Sequence, residues 1–266
     1  MAQAVAAKKH LGQHFLTDKG IADRIVSALN ENEICSDLLE IGPGTGVLTD
    51  IILTKKKDGF VALDVDLESI DYLKKKHPGA SDKFQLNDFL DTDVQVLFKG
   101  NFNIIGNFPY NISSQIMFKV LDLRQKVDVV VGMFQKEVAR RIAEKPGTKT
   151  YGILSVLLQA YYKIDYLFTV HENVFSPPPK VKSGVIKLTR NETKQLNCNE
   201  ELFFKVVKTA FNQRRKTIRN PLKALVNNPV ILQDEIFSKR AEQLSVEEFV
   251  GITNQIESAL KISATA

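Results

Sequence analysis

Cysteine is scarce in this chain: Cys35 and Cys198 are its two thiols and they lie far apart. That excludes a disulfide framework and a thiolate metal cluster. The four histidines, His10, His14, His77 and His171, have no ligand spacing, so no metal is expected. No apolar run reaches the roughly 18 residues of a membrane span. The opening MAQAVAAKKHLGQHF has no apolar stretch followed by a small-residue cleavage site. A cytoplasmic protein with no membrane attachment is therefore expected. Internal repeats, low-complexity segments and heptads are missing too, and a monomer is expected.

What is present suits an ordinary globular protein. The 266 residues are 44% hydrophobic and 25% charged, enough for one main domain and a small appendage. The net charge of +5 matters less than its distribution. Lys8/Lys9, Lys136/Arg140/Arg141, Lys145/Lys149, Lys180/Lys182 and above all Arg214-Arg215-Lys216 with Arg219 are local clusters able to meet phosphates.

Apolar periodicity predicts helices over 18–30, 47–56, 67–77, 112–123, 135–144 and 151–161. Strands are predicted over 37–41, 59–63, 83–86, 102–106, 127–134, 163–170 and 183–189. Such alternation implies an α/β fold: a mostly parallel seven-stranded sheet with helices on both faces. The last two strands have no clear helix between them and read as an antiparallel hairpin. Between 190 and 199 the apolar pattern lapses, and the remainder of the chain is helical in period. Ser245-Val246-Glu247-Glu248 is a capping box that opens the last helix. The expected domains are 1–190 and a small helical 191–266.

Glu40-Ile41-Gly42-Pro43-Gly44-Thr45-Gly46 lies between the first long strand and its helix. Glycines there admit turn dihedrals and let the backbone approach a ligand. The spacing is G-x-G-x-G, not the G-x-G-x-x-G of a dinucleotide site. Asp64, about twenty residues on, ends the next strand, where a carboxylate can accept ribose hydroxyls. With Asn87-Asp88 after the third strand, the set resembles the S-adenosylmethionine site of class I methyltransferases.

After strand 102–106 comes Asn107-Phe108-Pro109-Tyr110. This is similar to the [DNS]-P-P-[YF] signature of methyltransferases that modify planar amino groups. In those enzymes the Asn oxygen and the next backbone carbonyl accept the two N–H groups of the target. An exocyclic amine shares its lone pair with the ring, and two acceptors draw that pair back onto nitrogen. The resemblance implies that Pro109 fixes the turn and that Tyr110 stacks on the base.

With Leu11-Gly12-Gln13-His14-Phe15-Leu16 and Phe175-Ser176-Pro177-Pro178-Pro179-Lys180-Val181, the chain resembles the rRNA adenine N6,N6-dimethyltransferases from about Lys8 onward. The resemblance implies a cofactor site of His14, Leu16, Gly42, Gly44, Asp64 and Asp88, with Asn107 reaching towards the methyl group. It also implies Phe175 as a second aromatic wall opposite Tyr110. His14 stands where relatives often have Asn, and Phe108 where many have Leu or Ile. Phe211 to Asn220 (FNQRRKTIRN) and Arg240 to Ser245 look like the branch that dimethylates two adjacent adenosines in a hairpin loop near the 3′ end of small-subunit rRNA. Arg214, Arg215, Lys216 and Arg219 would then contact RNA of the small ribosomal subunit. Open alternatives are a non-catalytic RNA-binding assembly checkpoint, and methylation of large-subunit rRNA, DNA adenine or a protein glutamine.

Overall fold

The computed structural model describes residues 5–56, 58–226 and 229–265. The chain divides into two compact units: Met1–Arg140 with Lys163–Arg190, and Arg141–Tyr162 with Asn191–Ala266. The segment Arg141–Tyr162, expected in the first domain, thus clusters with the C-terminal helices. Its helix is buried continuously from Leu154 to Leu158. A helix buried on every side has no face whose orientation would tell which core it serves.

The strands are β1 (Phe15–Leu16), β2 (Asp37–Ile41), β3 (Phe60–Asp64), β4 (Phe84–Leu86), β5 (Phe102–Asn107), β6 (Val127–Gln135), β7 (Tyr162–Val170), β8 (Phe175–Ser176) and β9 (Ser183–Arg190). The helices are α1 (Lys19–Val26), α2 (Glu31–Cys35), α3 (Val47–Lys55), α4 (Leu67–Lys76), α5 (Ser113–Asp122), α6 (Lys136–Ala143), α7 (Ile153–Gln159), α8 (Glu200–Ala210), α9 (Arg219–Leu222) and α10 (Val246–Thr265).

Seven strands form one sheet in the order β4-β3-β2-β5-β6-β9-β7. β3 and β4, β2 and β3, β2 and β5, and β5 and β6 are parallel, while β9 runs antiparallel to β6. β9 lies between β6 and β7, so the last two strands are neighbours and β7 takes the edge. Inner strands covered on both faces need continuous apolar sequence. β5 meets this: Phe102, Ile104 and Ile105 are all buried. Its one amide there, Asn103, is satisfied by donating to the Glu33 carbonyl (2.7 Å) and accepting from the Val129 N–H (3.0 Å).

β1 and β8 form a separate two-stranded antiparallel ribbon in which Leu16 faces Phe175. The Thr17 N–H extends it by donating to the Val174 carbonyl (2.9 Å). Two-residue strands carry no period, so nothing in the sequence pattern announces them.

The helix expected over 18–30 ends earlier, as α1 at Val26, and an unexpected short helix, α2, follows from Glu31. Asp18 caps α1 by accepting from the Ile21 N–H (3.0 Å), and Ala22, Ile25 and Val26 form its buried face. Asn30 then opens α2 with a capping box: its side chain accepts from the Glu33 N–H (2.9 Å), and Glu33 accepts from the Asn30 N–H (2.8 Å). The Glu33 carboxylate also meets Lys187 of β9 at 2.7 Å.

The second unit has its own core, with Phe203, Phe237 and Phe249 fully buried. Phe211 stacks on Phe249 with centroids 6.1 Å apart. Asn199 caps α8 by accepting from the Leu202 N–H (2.9 Å). The Ser245 box opens α10 as expected: the Ser245 N–H donates to Glu248 (2.8 Å) and the Glu248 N–H to the Ser245 hydroxyl (3.2 Å).

Asn30→Ala removes the acceptor that starts α2. The expected loss is about 1 kcal/mol of unfolding free energy, as for other N-caps, measurable in the urea midpoint at constant slope. An unmoved midpoint would show that the box does not hold α2.

Candidate active site

Ile41 pairs with Leu63, and Glu40 with Ile105, so β2, β3 and β5 end on a common edge. Gly42, Asp64 and the NFPY turn leave that edge side by side. The strand order reverses between β2 and β5, the place where open α/β sheets bind ligands. A cleft opens there, lined by His14, Gly42, Gly44, Asp64, Asn107, Pro109 and Tyr110.

Asp64 organises one half of the cleft. Its carboxylate accepts from the Gly44 N–H (3.2 Å) and the Asp66 N–H (2.9 Å), one bond on each oxygen. Each oxygen keeps a further lone pair, so a ribose diol can still donate to it. Asp64 is 7% exposed. Burial raises its pKa, and the N–H bonds from Asp66 and Gly44 act in the opposite direction. Gly44 has φ +54°, and a Cβ there would lie 2.8 Å from the Phe15 ring. Only glycine meets both constraints, conformational and steric. Behind the turn, Glu40 is buried and accepts from the Thr49 hydroxyl (2.7 Å). Burial pushes its pKa up to about 8.

The NFPY turn organises the other half. Phe108 packs edge-on to Phe134, with centroids 5.1 Å apart and planes at 72°, and its N–H donates to the Met133 carbonyl (3.1 Å). That anchor holds Asn107 and Pro109 at the cleft. The Asn107 Nδ2 donates to the His14 carbonyl (2.9 Å), which leaves the amide oxygen as an acceptor. The Tyr110 hydroxyl bonds the buried Ser183 Oγ at 2.5 Å, and its ring stacks on His14 with centroids 5.5 Å apart. Burial raises the Tyr110 pKa, so the phenol keeps its proton. His14 Nδ1 lies 2.8 Å from the Pro177 carbonyl and must carry the hydrogen, because a carbonyl only accepts.

Three expected residues are not gathered here. Leu16 and Phe175 are 3% and 4% exposed and belong to the buried cluster that includes Ile25 and Val170. Their pairing in the β1–β8 ribbon turns both side chains inward, so Phe175 does not present its ring as an aromatic wall. Asp88 is half-buried in the loop after β4, where its Oδ1 accepts from the Leu90 N–H (2.8 Å). Val65, which sequence reasoning missed, also lines the cleft, as do Leu11, Gly12, Gln13 and Phe15, from the stretch that carried the resemblance and of which only His14 and Leu16 were assigned individually. Gly12 was the available signal: it has φ +67°, and a Cβ there would sit 2.7 Å from the Asn111 Oδ1.

The basic cluster lies in the second unit. Arg214, Arg215 and Lys216 are exposed, and Arg219 is half-buried at the start of α9. Arg214 has a structural task there: it donates to the carbonyls of Lys149 (2.5 Å) and Tyr151 (3.0 Å).

A mostly parallel seven-stranded sheet, a glycine turn answering an acidic strand end, and an amide-proline-tyrosine turn define a class I methyltransferase that uses S-adenosylmethionine. The residues fit that cofactor: an acidic diol acceptor, a backbone free of Cβ atoms and an adjacent amide oxygen. The ribosomal RNA adenine dimethylase model matches residues 4–258, and the chain belongs to that family. It is 56% identical over 254 residues to the ribosomal RNA small subunit methyltransferase A of Cytophaga hutchinsonii, covering 96% of this chain and 98% of the relative. The protein of the same name from Flavobacterium johnsoniae is 56% identical over 256 residues, covering 96% and 97%. Among solved structures, a dimethyladenosine transferase from Plasmodium falciparum superposes with a TM-score of 0.77 at 26% identity, covering 92% of this chain and 98% of that one.

Glu40 gives the site a pH signature. Its folded pKa of about 8 lies above the ordinary 4.5, so between those values the folded state holds a proton that the unfolded state has released. Stability therefore falls as pH rises through that window. Glu40→Gln is expected to flatten the fall in unfolding free energy between pH 5 and pH 8, measured by urea titration. An unchanged slope would place the titrating group elsewhere.

Proposed function

We propose that the protein transfers methyl groups from S-adenosylmethionine to the N6 amines of two adjacent adenosines in a hairpin loop near the 3′ end of small-subunit (16S) rRNA. The product is N6,N6-dimethyladenosine, made in the cytoplasm during ribosome biogenesis by a monomer with no metal requirement. The observation that carries the chemistry is the Asn107 amide, whose nitrogen is committed to the His14 carbonyl while its oxygen is left to accept. Relatives named for the small subunit match nearly the whole chain at more than half identity, which supports the substrate.

The cofactor supplies an electrophilic methyl group. In this reading Asp64 and Gly44 hold its ribose, and the Asn107 oxygen accepts an N–H of the adenine. Transfer of that methyl would leave S-adenosylhomocysteine as the neutral thioether and would place the positive charge on the amine nitrogen. The Asn107 oxygen stabilises that charge, and the proton then leaves to water. No strong base is needed, because the charged amine is acidic once methylated. Tyr110, held by Ser183, offers a fixed ring on which a base can stack. Loop adenosines suit such a site because an unpaired base is splayed out at low cost. Arg215 and Lys216, with Arg214 and Arg219, would bind the RNA backbone.

Transfer of labelled methyl to unmethylated small subunits, large subunits and duplex DNA tests this reading, with nucleoside analysis of the product. Label is expected as N6,N6-dimethyladenosine in small subunits alone. Asn107→Ala should reduce it by about 100-fold, the scale of losing one group placed at developing charge. Label in duplex DNA or large subunits would contradict the substrate, and cofactor binding with no transfer at all would favour an assembly checkpoint. For the basic cluster, Arg215→Ala with Lys216→Ala should weaken binding to small subunits and reduce the log–log salt slope by about 1 to 2. Equal binding and slope would remove these residues from the RNA interface.

A further inference from the structure

Asp66 has more hydrogen bonds than a helix cap requires. It is 1% exposed and opens α4 by accepting from the Glu68 N–H (3.1 Å). It also accepts from the Ser69 hydroxyl (3.1 Å), from Gln13 Nε2 (3.0 Å) and from Lys8 Nζ (2.5 Å). The last two partners come from a segment more than fifty residues away, the stretch that precedes β1. Gln13 is also fastened to Lys8 directly, since its Oε1 accepts from the Lys8 N–H (2.8 Å).

This segment leads straight to the reacting centre. The residue after Gln13 is His14, whose carbonyl holds the Asn107 amide nitrogen. An Asn amide can turn over and exchange its oxygen and nitrogen, and hydrogen-bond partners alone decide which one faces the cleft. Without the His14 carbonyl in place, the nitrogen could face an incoming amine and repel it. On its other side, the Asp66 N–H donates to Asp64. One buried carboxylate residue therefore touches both the cofactor half of the cleft and the segment that orients the amide.

The geometry points to Asp66 as a latch: by holding Lys8 and Gln13 it fixes the His14 carbonyl, and so makes Asn107 present its oxygen to the target amine. Asp66, Lys8 and Gln13 are then positioning residues, not catalytic ones. The inference rests on reading Asn107 as the amine acceptor. Burial works against charge on Asp66, but the bonds from Gln13, Lys8, Ser69 and the Glu68 N–H outweigh it and hold the carboxyl below its usual range. The latch therefore stays charged at neutral pH. His14 is held on its far side as well, through Nδ1 and the Pro177 carbonyl, so losing the latch should loosen the segment without detaching it.

The test leaves Asp66 intact, because it also caps α4 and supports Asp64. Lys8→Met with Gln13→Leu removes both partners while Asp66 keeps its bonds from the Glu68 N–H and the Ser69 hydroxyl, and a circular dichroism spectrum and urea midpoint like those of the wild type establish that the variant is folded. Two quantities are read in the full-length protein: kcat at saturating S-adenosylmethionine and small subunits, and proton exchange of the Asn107 side-chain amide by NMR, assigned with Asn107→Ala. The latch predicts a kcat about tenfold lower, the scale of one lost orienting hydrogen bond, together with faster exchange of the Asn107 amide. Lys8→Arg, which keeps the charge, should retain wild-type values of both. Unchanged exchange would overturn the latch, and so would faster exchange with an unchanged kcat. Turnover of Asn107→Ala itself separates the two ideas: full activity there removes the acceptor reading, while the exchange readout still judges the latch.

Discussion

The carboxylate of Asp64, bound by backbone N–H groups on both sides, is the interaction on which the site depends. One N–H belongs to Gly44 in the turn after β2 and the other to Asp66 at the start of α4. A single side chain thereby ties together the two loops that leave adjacent parallel strands. The arrangement costs something, because Asp64 is nearly buried and burial disfavours its charge. A carboxylate held in this state gains from any further donor, and a ribose diol supplies two.

The sheet makes this tie possible. Parallel strands put their C-terminal ends on one edge, so the turns after β2, β3 and β5 converge without any loop having to travel. Packing beneath the edge does the fine placement. Phe108 against Phe134 fixes the NFPY turn from below, and Phe15 over Gly44 fixes the glycine turn from above. The glycine turn and the NFPY turn are positioned by separate anchors that meet at the segment running from Lys8 to Phe15.

How much of this was legible in the sequence depended on whether a signal was local. The glycine turn, Asp64 and the NFPY turn follow long buried strands and could be placed by pattern and spacing alone. Phe175 could not: its neighbours Pro177 to Pro179 suggest a stiff loop presenting a ring, whereas two backbone pairs with β1 turn that ring into the core. Leu16 is hidden by the same ribbon. α2 was readable in principle from the Asn30-x-x-Glu33 capping box, but with five residues it is too short to show an apolar period of its own. Arg141–Tyr162 was misplaced because its helix is buried on every side, and only the tertiary structure shows that it joins the C-terminal helices.

The most direct measurement of the account is a calorimetric titration of S-adenosylmethionine into the wild-type protein and Asp64→Ala. One cofactor per chain is predicted for the wild type. The variant should bind at least about tenfold more weakly, the cost of losing charge-assisted bonds to a buried carboxylate, with its circular dichroism spectrum unchanged. Equal affinity in the two proteins would contradict the central claim that Asp64 holds the cofactor at the edge of the sheet.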